Sequence, residues 1–240
     1  MKVLQPKSTI HRLGFTLVEL LVVIVIVATL AALITMVAQA ALAKAASAKA
    51  LSNLRQSGTV FLASATEKNG KMQFTDDASG PDLSLLPYNV VRQQLGLRWG
   101  ETGETGPPQI CEIMHWNFKK IKPKKYEQNC FGVNFTNVPD SENLDEWTED
   151  VVTKVKTLAL ARISRPGAYP FLLDSSNAVG DEYFQILDSG GGAVGLRNSG
   201  RANAYFLDGS ARPLDKADLK KAGFSKAFDN NTTPPKSVDL

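Results

Sequence analysis

Gly14-Phe15-Thr16-Leu17-Val18-Glu19-Leu20 places two reactive groups close together in the sequence. Hydrolysis of the Gly14–Phe15 peptide bond would free an α-amine on Phe15, four residues before the carboxylate of Glu19. That carboxylate stands at the start of an apolar helix, where a charge costs roughly 2.5 to 3.5 kcal/mol at the bilayer centre and less near the interface. A cationic Phe15 amine, on the same chain or on a neighbour, would neutralise it. The alternative is an interfacial carboxylate reaching headgroup water.

Cys111 and Cys130 are the two cysteines of the chain. Beyond a membrane, in an oxidising compartment, a bridge between them is expected. It would close a loop of about 20 residues and contribute roughly 3 kcal/mol by chain entropy. With His115 they could instead offer three metal ligands, but a fourth is missing; two free thiols are the third reading. Asp188 with Ser189 and Gly190 to Gly192 could form an anion nest or contribute to a calcium site. No Lys-Ser/Thr follows those glycines, which excludes a P-loop. Asp208-Gly209, between apolar runs, reads as a tight hairpin turn with glycine at positive φ.

Lys119 to Lys125 concentrates five lysines beside Trp116, Phe118 and Tyr126. Such a segment could contact phosphates and stack bases, but a solvated basic loop explains it as well, and nucleic acid is not an expected partner. Asp140, Glu142, Asp145, Glu146, Glu149 and Asp150 follow without an intervening base, so opposite patches could meet between subunits or within one head. Enzymatic chemistry finds little support. His115 is the sole histidine after the first fourteen residues, no Gly-x-Ser-x-Gly elbow exists, and no pair of carboxylates stands out from the rest. No cofactor and no specific small molecule is expected.

These groups need elements to hold them. The 240 residues contain 27 basic and 24 acidic side chains; three of the basics, Lys2, Lys7 and Arg12, lie before Phe15, and without them 24 stand against 24. The basic excess therefore belongs to the N-terminal leader. Residues 20–43 form an uncharged run of 24 positions, long enough at about 1.5 Å per residue to cross roughly 30 Å of hydrocarbon. Positive charges on short flanks stay cytoplasmic, which sends everything after Lys44 across the membrane. A conventional signal peptide is the rival, with Ala38-Gln39-Ala40 and Ala41-Leu42-Ala43 as cleavage candidates. The apolar run is longer than the about 7 to 15 residues such peptides use, and retention of the anchor is expected.

Helical character continues to about Thr66, with Leu51, Leu54, Gly58, Phe61 and Ala65 at three- and four-residue steps facing a partner surface. Asn69-Gly70 supplies the stop. After a turn-rich stretch with a short helix at Asn89 to Leu95, strand-like runs follow at Phe131 to Phe135, Tyr169 to Leu173, Tyr183 to Leu187 and Ala202 to Leu207. Their connections are too short for helical crossovers, so antiparallel pairing is expected. A small helix is predicted at Asp215 to Ala222 and a frayed tail from Asn230. The organisation expected is a leader (1–14), a transmembrane helix (15–43), an amphipathic helix (44–68), a globular head (69–229) and a flexible tail (230–240), in the α+β class: a long helix packed on a small antiparallel sheet.

Gly14 to Ile24 closely resembles the class III leader junction of type IV pilins and type II secretion pseudopilins. The resemblance implies that a membrane-embedded prepilin peptidase cuts after Gly14, that the new N-terminal Phe15 is N-methylated, and that Glu19 guides subunit assembly. Ser52-Asn53-Leu54-Arg55-Gln56 resembles the "SNLKQ" of a large bacterial group of pilin-like proteins ending in a processing-associated His, nine residues, Asp-Gly motif. Arg162-Ile163-Ser164-Arg165-Pro166 with Leu173-Asp174-Ser175 is similar to their "I-x-x-P... ADS" segment, and Leu196 to Gly209 to their "RHSGRANVLFADG". Two departures stand out: Asn198 occupies the place of the motif's His, nine residues before Asp208 and Gly209, and Met36 stands where many relatives carry a helix-bending proline.

The resemblance implies a structural subunit of the bacterial inner membrane, single-pass, with a cytoplasmic N-terminus and an extracytoplasmic head, destined for a pilus or a secretion pseudopilus. Its partners would be the prepilin peptidase and methyltransferase and like or related pilin subunits. The alternative is a membrane-tethered head that binds polysaccharide or DNA and does not polymerise.

Overall fold

The computed structural model describes residues 16–75, 82–97, 111–116, 129–136, 147–187 and 191–240. The chain divides into two units, Met1–Lys44 and Ala45–Leu240. One helix, α1 (Leu17–Glu67), runs through the boundary and through position 36 without a break, as expected where no proline removes a backbone donor.

In the first unit α1 is apolar on every side, which suits a lipid surround and not a half-buried surface helix. Leu17–Thr35 has a mean hydropathy of 3.0 and is long and apolar enough to cross a membrane; none of it is buried. Two hydroxyls within it are satisfied on their own helix, Thr29 Oγ1 donating to Ile26 O at 2.8 Å and Thr35 Oγ1 to Ala31 O at 2.8 Å. Backbone and hydroxyl donors thus find partners without water, as a hydrocarbon setting demands.

In the second unit α1 buries most of the stripe that the sequence spacing marks: Leu54, Gly58, Phe61 and Ala65 are buried while Leu51 is half-buried, and Ala50 and Ser57, outside that stripe, are buried too. The helix ends at Asn69 and Gly70, both at positive φ, with Gly70 N–H closing on Ala65 O at 2.8 Å. Three sheets follow. The first joins β1 (Lys71–Thr75), β3 (Trp147–Glu149) and β4 (Val155–Ala159) in the order β1-β4-β3, all antiparallel. A short helix α2 (Pro87–Gln94), with proline in its first turn, follows β1 in sequence.

The second sheet gathers β2 (Gly132–Asn134), β5 (Pro170–Leu173), β7 (Gln185–Ile186), β9 (Ala202–Phe206) and β10 (Ala211–Leu214) in the order β10-β9-β5-β2-β7. All four strand-like runs of the sequence meet here. The third holds β6 (Ser175–Ser176), β8 (Ala193–Leu196), β11 (Lys226–Asp229) and β12 (Lys236–Asp239) in the order β12-β11-β8-β6, with α3 (Lys216–Lys221) held by a capping box between Asp215 and Asp218. The class is α+β, a long N-terminal helix followed by sheets.

Three features depart from the expected head. There are three sheets among the described residues, not one. Two neighbour pairs, β2 with β7 and β11 with β8, run parallel; long stretches of chain separate their members in sequence, so the short-connection rule does not reach them. The segment from Asn230 is no frayed tail: β12 pairs antiparallel with β11, and Val238 packs on the second core cluster. Its Lys-Ser-Val-Asp composition carries one apolar residue, too few for a strand signal.

Every residue of β9 is buried, because its two faces serve two cores. Tyr205 joins Leu54, Phe61, Phe74, Phe131 and Phe171 beside α1, while Ala202, Ala204 and Phe206 join Leu173, Leu196, Leu219 and Phe224. On its free side β10 is guarded. The register turns Ala211 and Pro213 away from β9; Arg55 Nη2 donates to Ala211 O at 3.4 Å, and Pro213 has no N–H to offer.

Candidate functional site

Gly14 and Phe15 lie outside the described residues. The description begins at Thr16, and it gives Glu19 a partner on its own chain. Thr16 N–H donates to Glu19 Oε2 at 2.9 Å, Thr16 Oγ1 to the same oxygen at 2.7 Å, and Glu19 N–H returns to Thr16 Oγ1 at 3.2 Å. This is a capping box, legible as Thr-x-x-Glu before an apolar run. Amide and hydroxyl donors therefore already face the carboxylate that sequence reasoning left to await an amine.

The segments resembling the pilin-like group acquire concrete contacts. Asn53 Nδ2 donates to His115 O at 3.1 Å and Glu112 O at 3.4 Å, and Ser57 Oγ to Ile113 O at 2.7 Å. The Ser52 to Gln56 segment thus fastens the 111–116 segment to α1, as Arg55 fastens β10. Gly58 lets Tyr205 approach: a Cβ built there would lie 2.3 Å from two atoms of that ring.

The Arg162 to Gly167 segment meets the Asp208 turn. Phe206 N–H donates to Ser210 O at 2.8 Å, Ser210 N–H to Asp208 Oδ1 at 2.9 Å, and Gly209 takes a φ of 86°. A Cβ on Gly167 would fall 2.6 Å from Asp208 Oδ2. Arg212 lies 3.7 Å over the Phe206 ring and donates to Gly167 O at 3.3 Å. Hydrogen bonds from Ser210 hold the Asp208 carboxyl below its usual range. All of this serves a turn. Asn198 lies elsewhere: its N–H and C=O pair with Arg201 across Ser199 and Gly200, both at positive φ, a primed hairpin. Asn198 and Asp208 thus flank opposite ends of β9, roughly 20 Å apart at strand rise, and form no joint site.

Asp174, which in the sequence is one letter of a motif, is the joint where the chain leaves β5 for β6 and changes sheet. Its N–H donates to Asn203 O at 2.9 Å, its Oδ2 accepts from Asn203 N–H at 2.8 Å, and its O accepts from Gly195 N–H at 2.9 Å. The side chain is fully buried. Burial pushes its carboxyl up to about 7 against the pull of the Asn203 donor and the Arg197 guanidinium.

The expected Cys111–Cys130 bridge is not present: both cysteines are buried and neither is disulfide-bonded. Cys130 Sγ faces Phe131 O at 3.4 Å, and burial pushes the Cys111 thiol up to about 11, so it stays protonated. Sequence spacing carries no information on the Cβ directions that a bridge requires. His115 is buried with Nδ1 2.7 Å from Asn129 O and 3.7 Å from Glu182 Oε2; Glu182 Oε1 also accepts from Trp116 N–H. Among the described residues no group of three His, Cys, Asp or Glu could hold a metal. The lysine segment, the acidic run before Trp147 and Asp188 to Gly190 lie outside the described residues.

No curated protein and no solved structure matches this chain. Residues 11–35 match the prokaryotic N-terminal methylation motif, a stretch that includes Glu19 and the lipid-length part of α1. The chain therefore carries, at its N-terminus, a type IV pilin-type leader with its apolar helix.

Proposed function

We propose that this protein is a pilin-like structural subunit and not an enzyme: a precursor cut after Gly14, methylated on Phe15, held in the inner membrane by α1 and then assembled through that helix into a pilus or secretion pseudopilus. The observation that carries this reading is the overlap of the methylation motif at residues 11–35 with the exposed apolar span Leu17–Thr35. Hydrolysis of the Gly14–Phe15 amide leaves a carboxylate on the leader and an amine on Phe15; methylation then raises the amine's substitution without removing its charge at neutral pH. Lys2, Lys7 and Arg12 keep the leader on the cytoplasmic side.

None of the side chains of Leu17–Thr35 is buried in the single chain, and lipid covers them before assembly. In a filament the same surface would pack on like helices, and Glu19 would exchange its Thr16 donors for the Phe15 amine of a neighbour. That exchange keeps the carboxylate paired in both states while specifying one axial step. Crosslinking between cysteines placed at Val23 and Val27 in cells tests it. A ladder of crosslinked oligomers that shortens in Glu19→Ala is expected; the absence of any ladder would favour a tethered head that does not polymerise.

A further inference from the structure

The outer face of the first sheet carries a line of polar side chains across its three strands. The register sets Gln73 opposite Thr157 and Thr157 opposite Thr148, so an amide and two hydroxyls cross three strands at about 4.8 Å spacing. With Leu85, Glu149, Asp150, Thr153 and Val155 they line an open cavity of about 420 Å³. The opposite face holds Phe74 and Trp147 in aromatic contact, beside Lys156 and Glu149.

Among the described residues the Gln73 amide and the Thr157 hydroxyl make no hydrogen bond, although both are half-buried; Thr148 Oγ1 donates to Thr157 O at 3.3 Å. The charges at the rim are already matched. Glu149 lies 3.6 Å from Lys154 and 4.0 Å from Lys156, and Asp150 Oδ1 accepts from Val152 N–H and Thr153 N–H at 2.9 Å each. A cation would find these carboxylates engaged, an anion would meet their charge, and an apolar ligand would strip water from the amide and hydroxyls without replacing it. What fits is a neutral molecule dense in hydroxyl groups, able to give and accept hydrogen bonds along the line, with Leu85 and Val155 meeting its C–H surface.

We propose that this cleft, lined by Gln73, Thr148 and Thr157, binds neutral oligosaccharide. The site is independent of whether the chain polymerises, since all its residues lie in the second unit. Such a cleft, without an aromatic platform, would bind weakly one head at a time, and a repeated or clustered head would add avidity.

The test uses the full mature chain in lipid nanodiscs free of glycoside detergent, titrated with maltotetraose, cellotetraose, chitotetraose, tetragalacturonate and tetralysine, with binding read by saturation-transfer NMR. Saturable binding of a neutral tetrasaccharide is expected, weakened about 3- to 10-fold by Thr157→Val or Gln73→Ala, each removing one hydrogen-bonding group. The N-acetylated chitotetraose distinguishes cell-wall-type sugar from the unacetylated glucans. Thermal unfolding of each variant separates loss of the site from loss of the fold. Binding of tetralysine or tetragalacturonate in place of the neutral sugars, no saturable binding at millimolar sugar, or binding indifferent to both substitutions in folded protein would each overturn the proposal.

Discussion

Gly58→Ala tests how α1 is seated on the sheets. Alanine in mid-helix is favoured over glycine by about 0.8 to 1 kcal/mol, so an isolated α1 would gain stability from the change. In the fold, the new Cβ would lie 2.3 Å from Tyr205 Cδ1 and Cε1 and 2.5 Å from Cγ, against an optimal carbon separation of about 3.5 to 4.0 Å. The ring has nowhere to go, because Tyr205 is fully buried on β9, which is packed on both faces. Overpacking costs about 1 to 3 kcal/mol; a rigid ring puts this site near the upper end, and the helix gain leaves about 2 kcal/mol of net destabilisation. For a unit of this size that lowers Tm by about 4 to 8 °C. Thermal unfolding of the mature chain in detergent, followed by tryptophan fluorescence, measures it. In a Tyr205→Leu background the same substitution should cost less, with a coupling within about 0.5 to 3 kcal/mol. Tyr205→Phe should bring no relief, since the close atoms are ring carbons. A Gly58→Ala protein more stable than wild type would refute the seating of α1 on β9.

Asp174 gives the head a pH dependence of defined sign. Its carboxyl titrates at about 7 in the fold and near 3.9 when unfolded, so the native state holds the extra proton in between. Stability from this group is present below about pH 4, falls as pH rises to about 7 and is flat above; urea unfolding at pH 5 and pH 8 should show that Asp174→Asn removes the fall, and an unchanged difference would contradict it. Both thiols are buried and outside any disulfide, so neither should react with a thiol reagent in the native protein and both should be alkylated on unfolding without reductant; no label on the unfolded chain would restore the bridge.

Much of the helical part was legible because it rests on local signals. The apolar run, the 51-54-58-61-65 stripe and the Asn69-Gly70 stop each act within a few turns, and α1 follows them. Strands with apolar runs, β2, β5, β7 and β9, were readable for the same reason. Those held by partners, such as polar β12 or two-residue β6, draw their stability from neighbours far away in sequence. Asp174 shows the limit well: its type and position look like a motif letter, and only the crossing of β5 into β6 reveals that its backbone serves two sheets. The Gln73, Thr157 and Thr148 line is likewise a product of register, which no spacing in one strand announces. Thr16-x-x-Glu19, by contrast, is a local signal carried within one turn of the sequence.

The claim that this chain is a processed pilin-like subunit is tested most directly by high-resolution mass analysis of the N-terminal peptide of the protein recovered from membranes. Cleavage after Gly14 with one methyl group on the Phe15 amine is the expected result. A mature terminus at Ala41 or Lys44, or an intact leader in assembled material, would contradict it.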